Sequence, residues 1–221
     1  MNRLRHLLLV GLVAGVVAGL AASVLQAFLV TPLILEAERG EAVLAPAADS
    51  QRESHQHESS RLQRGGLTFV SNTLAGIGFG LLLAAGYSLY GAVNWRAGAA
   101  WGLAGFAAFY LAPSIGLPPS LPGSDLAELG ARQAWWLGTA AATAFGLALL
   151  VLGRPRWAKG LGIALLIVPH LIGAPQQAAR FGPPPELAQA FILWSGLAAA
   201  VFWLVLGASS GWLFARLDRR M

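Results

Sequence analysis

The chain of 221 residues contains no cysteine, a single lysine (Lys159) and few charges of either sign: Asp, Glu, Lys and Arg together make up 11%. Without cysteine there are no disulfides, thiolate metal sites or cysteine nucleophiles. The lone lysine is followed by Gly160 rather than preceded by a phosphate-binding glycine loop, so no G-x-x-x-x-G-K-[ST] nucleotide site exists. H-E-x-x-H, G-x-S-x-G and an intramembrane pair of carboxylates are missing too. Against these absences stand 56% apolar residues and a mean hydropathy of +0.61, far from a soluble domain. The net charge of +5 sits mostly at the ends of apolar runs, where it sets topology rather than a nucleic-acid footprint. An all-α polytopic transmembrane bundle of five to six spans, in contact with membrane lipid and not with nucleic acid, is the expected architecture.

Taken in order, residues 1–30 form an expected uncleaved first span, Leu7 to Val30 being long enough to cross about 30 Å of hydrocarbon. Residues 31–66 form an expected hydrophilic outer loop, mobile because it lacks aromatics and apolar periodicity. Spans two and three fall within 67–112, a Pro/Gly-rich outer loop with a short surface helix within 113–133, and spans four and five within 134–174. An outer turn, the last span and a basic C-terminus fill 175–221. Six spans put nine Lys/Arg on the side of both termini and six on the other, so the termini are expected to be cytoplasmic. The fifth run is short, and there the count could fall to five. Small residues (Gly76, Gly78 and Gly80; Gly98, Gly102 and Gly105) predict close helix packing, and Trp95, Trp101, Trp157 and Trp212 predict interfacial anchors.

Three places could carry chemistry. In 113–136, Pro113, Pro118, Pro119 and Pro122 stiffen the backbone, with Gly116 and Gly123 at its turns. Ser124 or Asp125 is the expected helix cap, with Glu128 paired to Arg132 four residues on; Gln133, Trp135 and Trp136 then stand at the mouth of the next span. His170, within Ile167-Val-Pro169-His170-Leu-Ile-Gly-Ala-Pro175, is an ionisable ring near membrane depth, and Pro169 cannot donate to the carbonyl of Leu165. His55 and His57, in Glu53-Ser-His55-Gln-His57-Glu58, would point the same way in an extended chain, and imidazole with carboxylate suits zinc, nickel or cobalt.

The motifs Pro113…Gly116-Leu-Pro-Pro119…Leu121-Pro-Gly123, Arg132-Gln133-x-Trp135-Trp136 and Pro169-His170-Leu-Ile-Gly173-Ala-Pro175 resemble those of the CbtA family of predicted cobalt transporter subunits, over essentially the whole chain. That resemblance implies a multi-pass protein of the bacterial inner membrane, without enzyme activity or resident cofactor. It implies transport of a divalent metal ion, cobalt(II), for cobalamin synthesis. It also implies a small single-span, His-rich partner, CbtB-like. Metal ligands would then be His170, His55 and His57, with Pro113, Pro118, Pro119, Gln133, Trp136, Pro169 and Pro175 forming the path or gate. A non-transporting accessory subunit is the first alternative. A lipid-acting membrane enzyme with His170 as general base is the second.

Overall fold

The computed structural model describes residues 3–44, 56–91, 93–176 and 182–218, and no strand occurs among them. Eight α-helices follow in order: α1 (Arg3–Leu25), α2 (Thr31–Leu44), α3 (Gln56–Tyr90), α4 (Trp95–Phe106), α5 (Ala112–Gly116), α6 (Leu129–Leu152), α7 (Arg156–Ile172) and α8 (Pro185–Asp218). Two π-helical turns, Gln26–Val30 and Ala107–Leu111, join α1 to α2 and α4 to α5 without a break. Each turn ends two residues before a proline, Pro32 or Pro113. Proline has no N–H for the carbonyl four residues back, and its ring collides with that carbonyl. Widening the ladder, so that Thr31 N–H reaches the Gln26 carbonyl and Ala112 N–H that of Ala107, relieves the collision without ending the helix.

Among the described residues, five helical stretches are long and apolar enough to cross a membrane: Arg3–Gly40, Gln63–Tyr90, Trp95–Gly116, Leu129–Leu152 and Pro185–Asp218. At 17 residues, α7 falls just below that length.

The chain divides into two compact units, residues 1–103 with 197–221, and residues 104–196. In the first, α1 and α3 touch backbone to backbone: a methyl group added at Gly15 would collide with Gly76 and Ile77, and one at Gly80 with Gly11. Gly98 and Gly102 make the same kind of contact with Gly207 and Gly211 of α8. Gly78 faces open space and takes no part. Around these seams Tyr87 is fully buried, its hydroxyl 3.0 Å from that of Ser210, with Trp101 and Phe214 edge-on to its ring. The Asn72 amide donates to both Ser23 Oγ (3.1 Å) and Gln26 Oε1 (2.8 Å), tying α3 to α1 and its π turn.

In the second unit, α6 and α7 form an antiparallel hairpin. Gly146 and Gly162 pack against each other midway, and Trp135 meets His170 at the open end. Beyond α7, which stops at Gly173 with φ 84°, Gln176 Nε2 donates to the Gly116 carbonyl at the end of α5 (3.1 Å). Although short, α7 therefore returns to the end of the unit where α6 begins.

Three expectations need correction. Most of the predicted hydrophilic loop is helical, through Leu44 and again from Gln56, with Arg64 gripping both carboxylate oxygens of Glu38 (2.8 and 2.9 Å). No separate surface helix forms in 113–133. Residues 117–128 are irregular, and the helix starting at Leu129 is the first turn of the α6 span itself. Its cap is neither Ser124 nor Asp125 but Glu128, whose carboxylate accepts from the N–H groups of Gly130 (2.9 Å) and Ala131 (3.0 Å) and so is not an ion-pair partner of Arg132.

Of the predicted aromatic anchors, Trp95 and Trp212 lie beneath the guanidinium groups of Arg96 (5.3 Å) and Arg216 (5.0 Å), and Trp157 is exposed. Trp101 instead packs on Tyr87 and Tyr90.

Candidate functional site

The irregular segment 117–128 is held by what it buries. Leu121 is 3% exposed, Pro113 in the preceding helix is fully buried, and Gly123, at φ 78°, makes the turn that a side chain would strain. With its ends fixed on α5 and α6, the segment walls one side of a pocket of about 810 Å³. Pro118, Pro119, Gln133 and Trp136, all singled out from the sequence, line it together. Phe109, Tyr110 and Phe191 line it as well, Phe109 beside Trp136 at 6.4 Å between ring centroids. Gln133, Trp136 and Leu137 share the wall because residues three and four apart lie on one helix face. Arg132 lines the pocket as well, and its Nε is buried without a hydrogen-bond partner. The Tyr110 hydroxyl is buried without a hydrogen-bond partner, and the Ser114 hydroxyl donates to the Tyr110 backbone carbonyl instead (2.6 Å).

His170 is elsewhere. It is half-buried on α7, its imidazole edge-on to the Trp135 indole at 6.2 Å between ring centroids. Trp135 in turn fills the space beside Gly116 and Ala174. Gln133 and Trp135, two residues apart, point to different sides of α6, Gln133 to the pocket and Trp135 to His170. Pro169 and Pro175 likewise lie off the pocket wall. Below Trp135 the same face of α6 continues through Thr139 and Thr143, 1% and 3% exposed. The Trp135 Nε1 and both threonine hydroxyls are buried without a partner. On α7, Pro169 leaves the Leu165 carbonyl without its helical N–H, and the Leu165 side chain packs near Gly146, one turn beyond Thr143. The unpaired Trp135 Nε1, Thr139 Oγ1 and Thr143 Oγ1 thus follow one another along one face of α6, starting at the residue that meets His170.

Residue 55 and the side chain of His57 lie outside the described residues. The backbone at His57 is helical, in the first turn of α3, so the extended geometry assumed for the pair does not hold there. Among the described residues no three His, Asp or Glu side chains converge as a metal site would require.

Sequence reasoning missed His6, which is 3% exposed, stacked on Phe214 at 4.8 Å and unpaired at Nε2. It also missed Asn72, although an amide inside a predicted span was visible in the sequence.

A family model described as probable cobalt transporter subunit (CbtA) matches residues 4–215. No curated protein and no solved structure matches the chain.

Proposed function

Starting from the chain's membership of the CbtA family of probable cobalt transporter subunits, we propose that it is the membrane-embedded subunit of a system that imports cobalt(II) across the bacterial inner membrane for cobalamin synthesis. The observation that carries this reading is the family match over 4–215, which takes in all or nearly all of each span-length helix. A transporter subunit needs no reaction centre of its own.

In this reading His170 takes the ion from the outer face. The ion then moves along the α6 face formed by Thr139 and Thr143, where hydroxyls and the freed Leu165 carbonyl replace its hydration water. Imidazole nitrogen and neutral oxygen are donors that a first-row divalent metal accepts. One histidine with neutral oxygens holds such an ion only weakly, so a second chain supplies the remaining ligands. A single-span, His-rich partner of the CbtB type fits that need. His55 and His57 act as collectors outside the membrane, and the N-terminus lies in the cytoplasm.

The test is uptake of radiolabelled cobalt by sealed vesicles containing this chain, the single-span partner, both or neither. Uptake that requires both chains is expected. Uptake by the partner alone would reduce this chain to an accessory scaffold, which the lack of a convergent ligand set among the described residues also favours. Uptake at the level of empty vesicles in all four cases would end the transport reading.

A further inference from the structure

The pocket beside residues 117–128 has chemistry that the import of a metal cation does not use. Of its lining residues Arg132 carries a full charge, and none is acidic. A bare dication would meet repulsion there and find no anionic ligand. Glu128, the nearest carboxylate in sequence, is not on the wall and is held by the first amides of α6.

We propose that this pocket binds the phosphate headgroup of an anionic phospholipid, with Arg132 as its counter-ion. Three observations converge on that occupant. The first is depth: the pocket is built from the end of one span (Tyr110, Ser114), the loop after it and the first turns of the next span (Leu129 to Leu137), the level at which headgroups lie. The second is charge: a guanidinium nitrogen is buried there with no acceptor, and the planar fork of arginine matches two phosphate oxygens at once. Gln133, Ser120 and Tyr110 add neutral donors for the glycerol and phosphate oxygens. The third is shape: about 810 Å³ is ample for a headgroup, and Phe109, Trp136, Leu137 and Phe191 offer an apolar wall on which the upper acyl chain can lie.

The inference does not depend on the metal reading, and its test leaves transport aside. The full chain is delipidated in a non-ionic detergent and titrated separately with phosphatidylglycerol, phosphatidylcholine, diacylglycerol and inorganic phosphate. Bound lipid is counted by native mass spectrometry and affinity followed through the emission of tryptophan. Phosphatidylglycerol is expected to bind in about one-to-one ratio, at least tenfold more tightly than diacylglycerol, and more tightly than phosphatidylcholine. Millimolar inorganic phosphate should not displace it, because the acyl wall contributes to binding. Arg132→Gln is expected to weaken phosphatidylglycerol about tenfold and Arg132→Lys less, while Arg96→Gln, at the start of α4, leaves it unchanged. Should Arg132→Gln fail to fold, headgroup selectivity of the unaltered protein decides alone. Equal binding of diacylglycerol and phosphatidylglycerol, displacement by free phosphate, or unchanged affinity in a folded Arg132→Gln protein would each overturn the proposal.

Discussion

The indole of Trp135 stands edge-on to the imidazole of His170, 6.2 Å between ring centroids and 68° between planes, where the α6–α7 hairpin opens. The contact gives His170 a fixed place without occupying either ring nitrogen with a described hydrogen bond. His170→Ala should lower maximal cobalt uptake about tenfold or more while the protein stays inserted. His170→Gln should keep the packing against Trp135 but lose most of the uptake. Normal transport by a fully inserted His170→Ala protein would remove this residue from the ion path.

Thr139 and Thr143 give a second test of the same path, deeper in the membrane. Valine keeps their shape and removes their oxygens, so the paired Thr139→Val and Thr143→Val replacement should reduce uptake several-fold. Burial without partners means that the loss should not lower stability and could raise it slightly. Serine at both positions should restore transport. Full activity in the valine protein would count against any passage along this face.

Protonating Glu128 should loosen the start of α6. The amide N–H groups of Gly130 and Ala131 hold its carboxyl below the ordinary carboxylate range. Its contribution is therefore complete above the carboxyl's unfolded-state pKa and is lost as pH falls through the lower folded-state value. Thermal unfolding in detergent should show wild type losing stability on acidification, with a flatter profile for Glu128→Gln. Parallel profiles would mean that the cap contributes nothing.

The layout of the α6–α7 hairpin implies that α7 recrosses the membrane despite its 17 residues, which at about 1.5 Å each cover most of the hydrocarbon thickness. Reporter fusions after Arg61 and after Gly123 should be external, and those at Lys159 and after the last residue internal. An external C-terminus together with an internal Lys159 would show five crossings instead of six.

Gly98 sits where a Cβ would strike the backbone of α8 at Gly207 and Gly211. Gly98→Ala should destabilise by about 1–3 kcal/mol, the usual cost of overpacking. Gly78→Ala, on the open side of α3, should be neutral or slightly stabilising. Denaturation of the two proteins in the same detergent compares them directly.

The helical membrane fold was legible because long apolar runs in a chain with 11% charged residues admit little else. The pocket was half legible: its prolines, Gln133 and Trp136 stood out, while the role of Arg132 depended on which atoms burial would leave unpaired. Polarity misled at 31–66. A charged stretch without periodicity predicts a loop, yet a helix already started inside the membrane extends into water at little cost, and Glu38 and Arg64 join the two extensions. Gln133 and Trp135 stood together at the mouth of the span in the sequence, yet the 100° rotation of each helical step turns one to the pocket and the other to His170. His6 was hidden because a histidine beside Arg3 and Arg5 resembles any basic terminus.

The two π turns carry a consequence for how the length of this chain can vary. Each accommodates one residue more than an α-helix would, and each leads into a proline that makes the wider turn favourable. Deleting one residue from 107–111 while Pro113 remains would force the ring against a carbonyl. Replacing Pro113 while keeping the extra residue would leave a wide turn with no reason to persist. Loss of the residue and loss of the proline should therefore travel together, at 26–32 as at 107–113, so that these are the points inside the spans where homologous chains can differ by one residue and keep an unbroken helix.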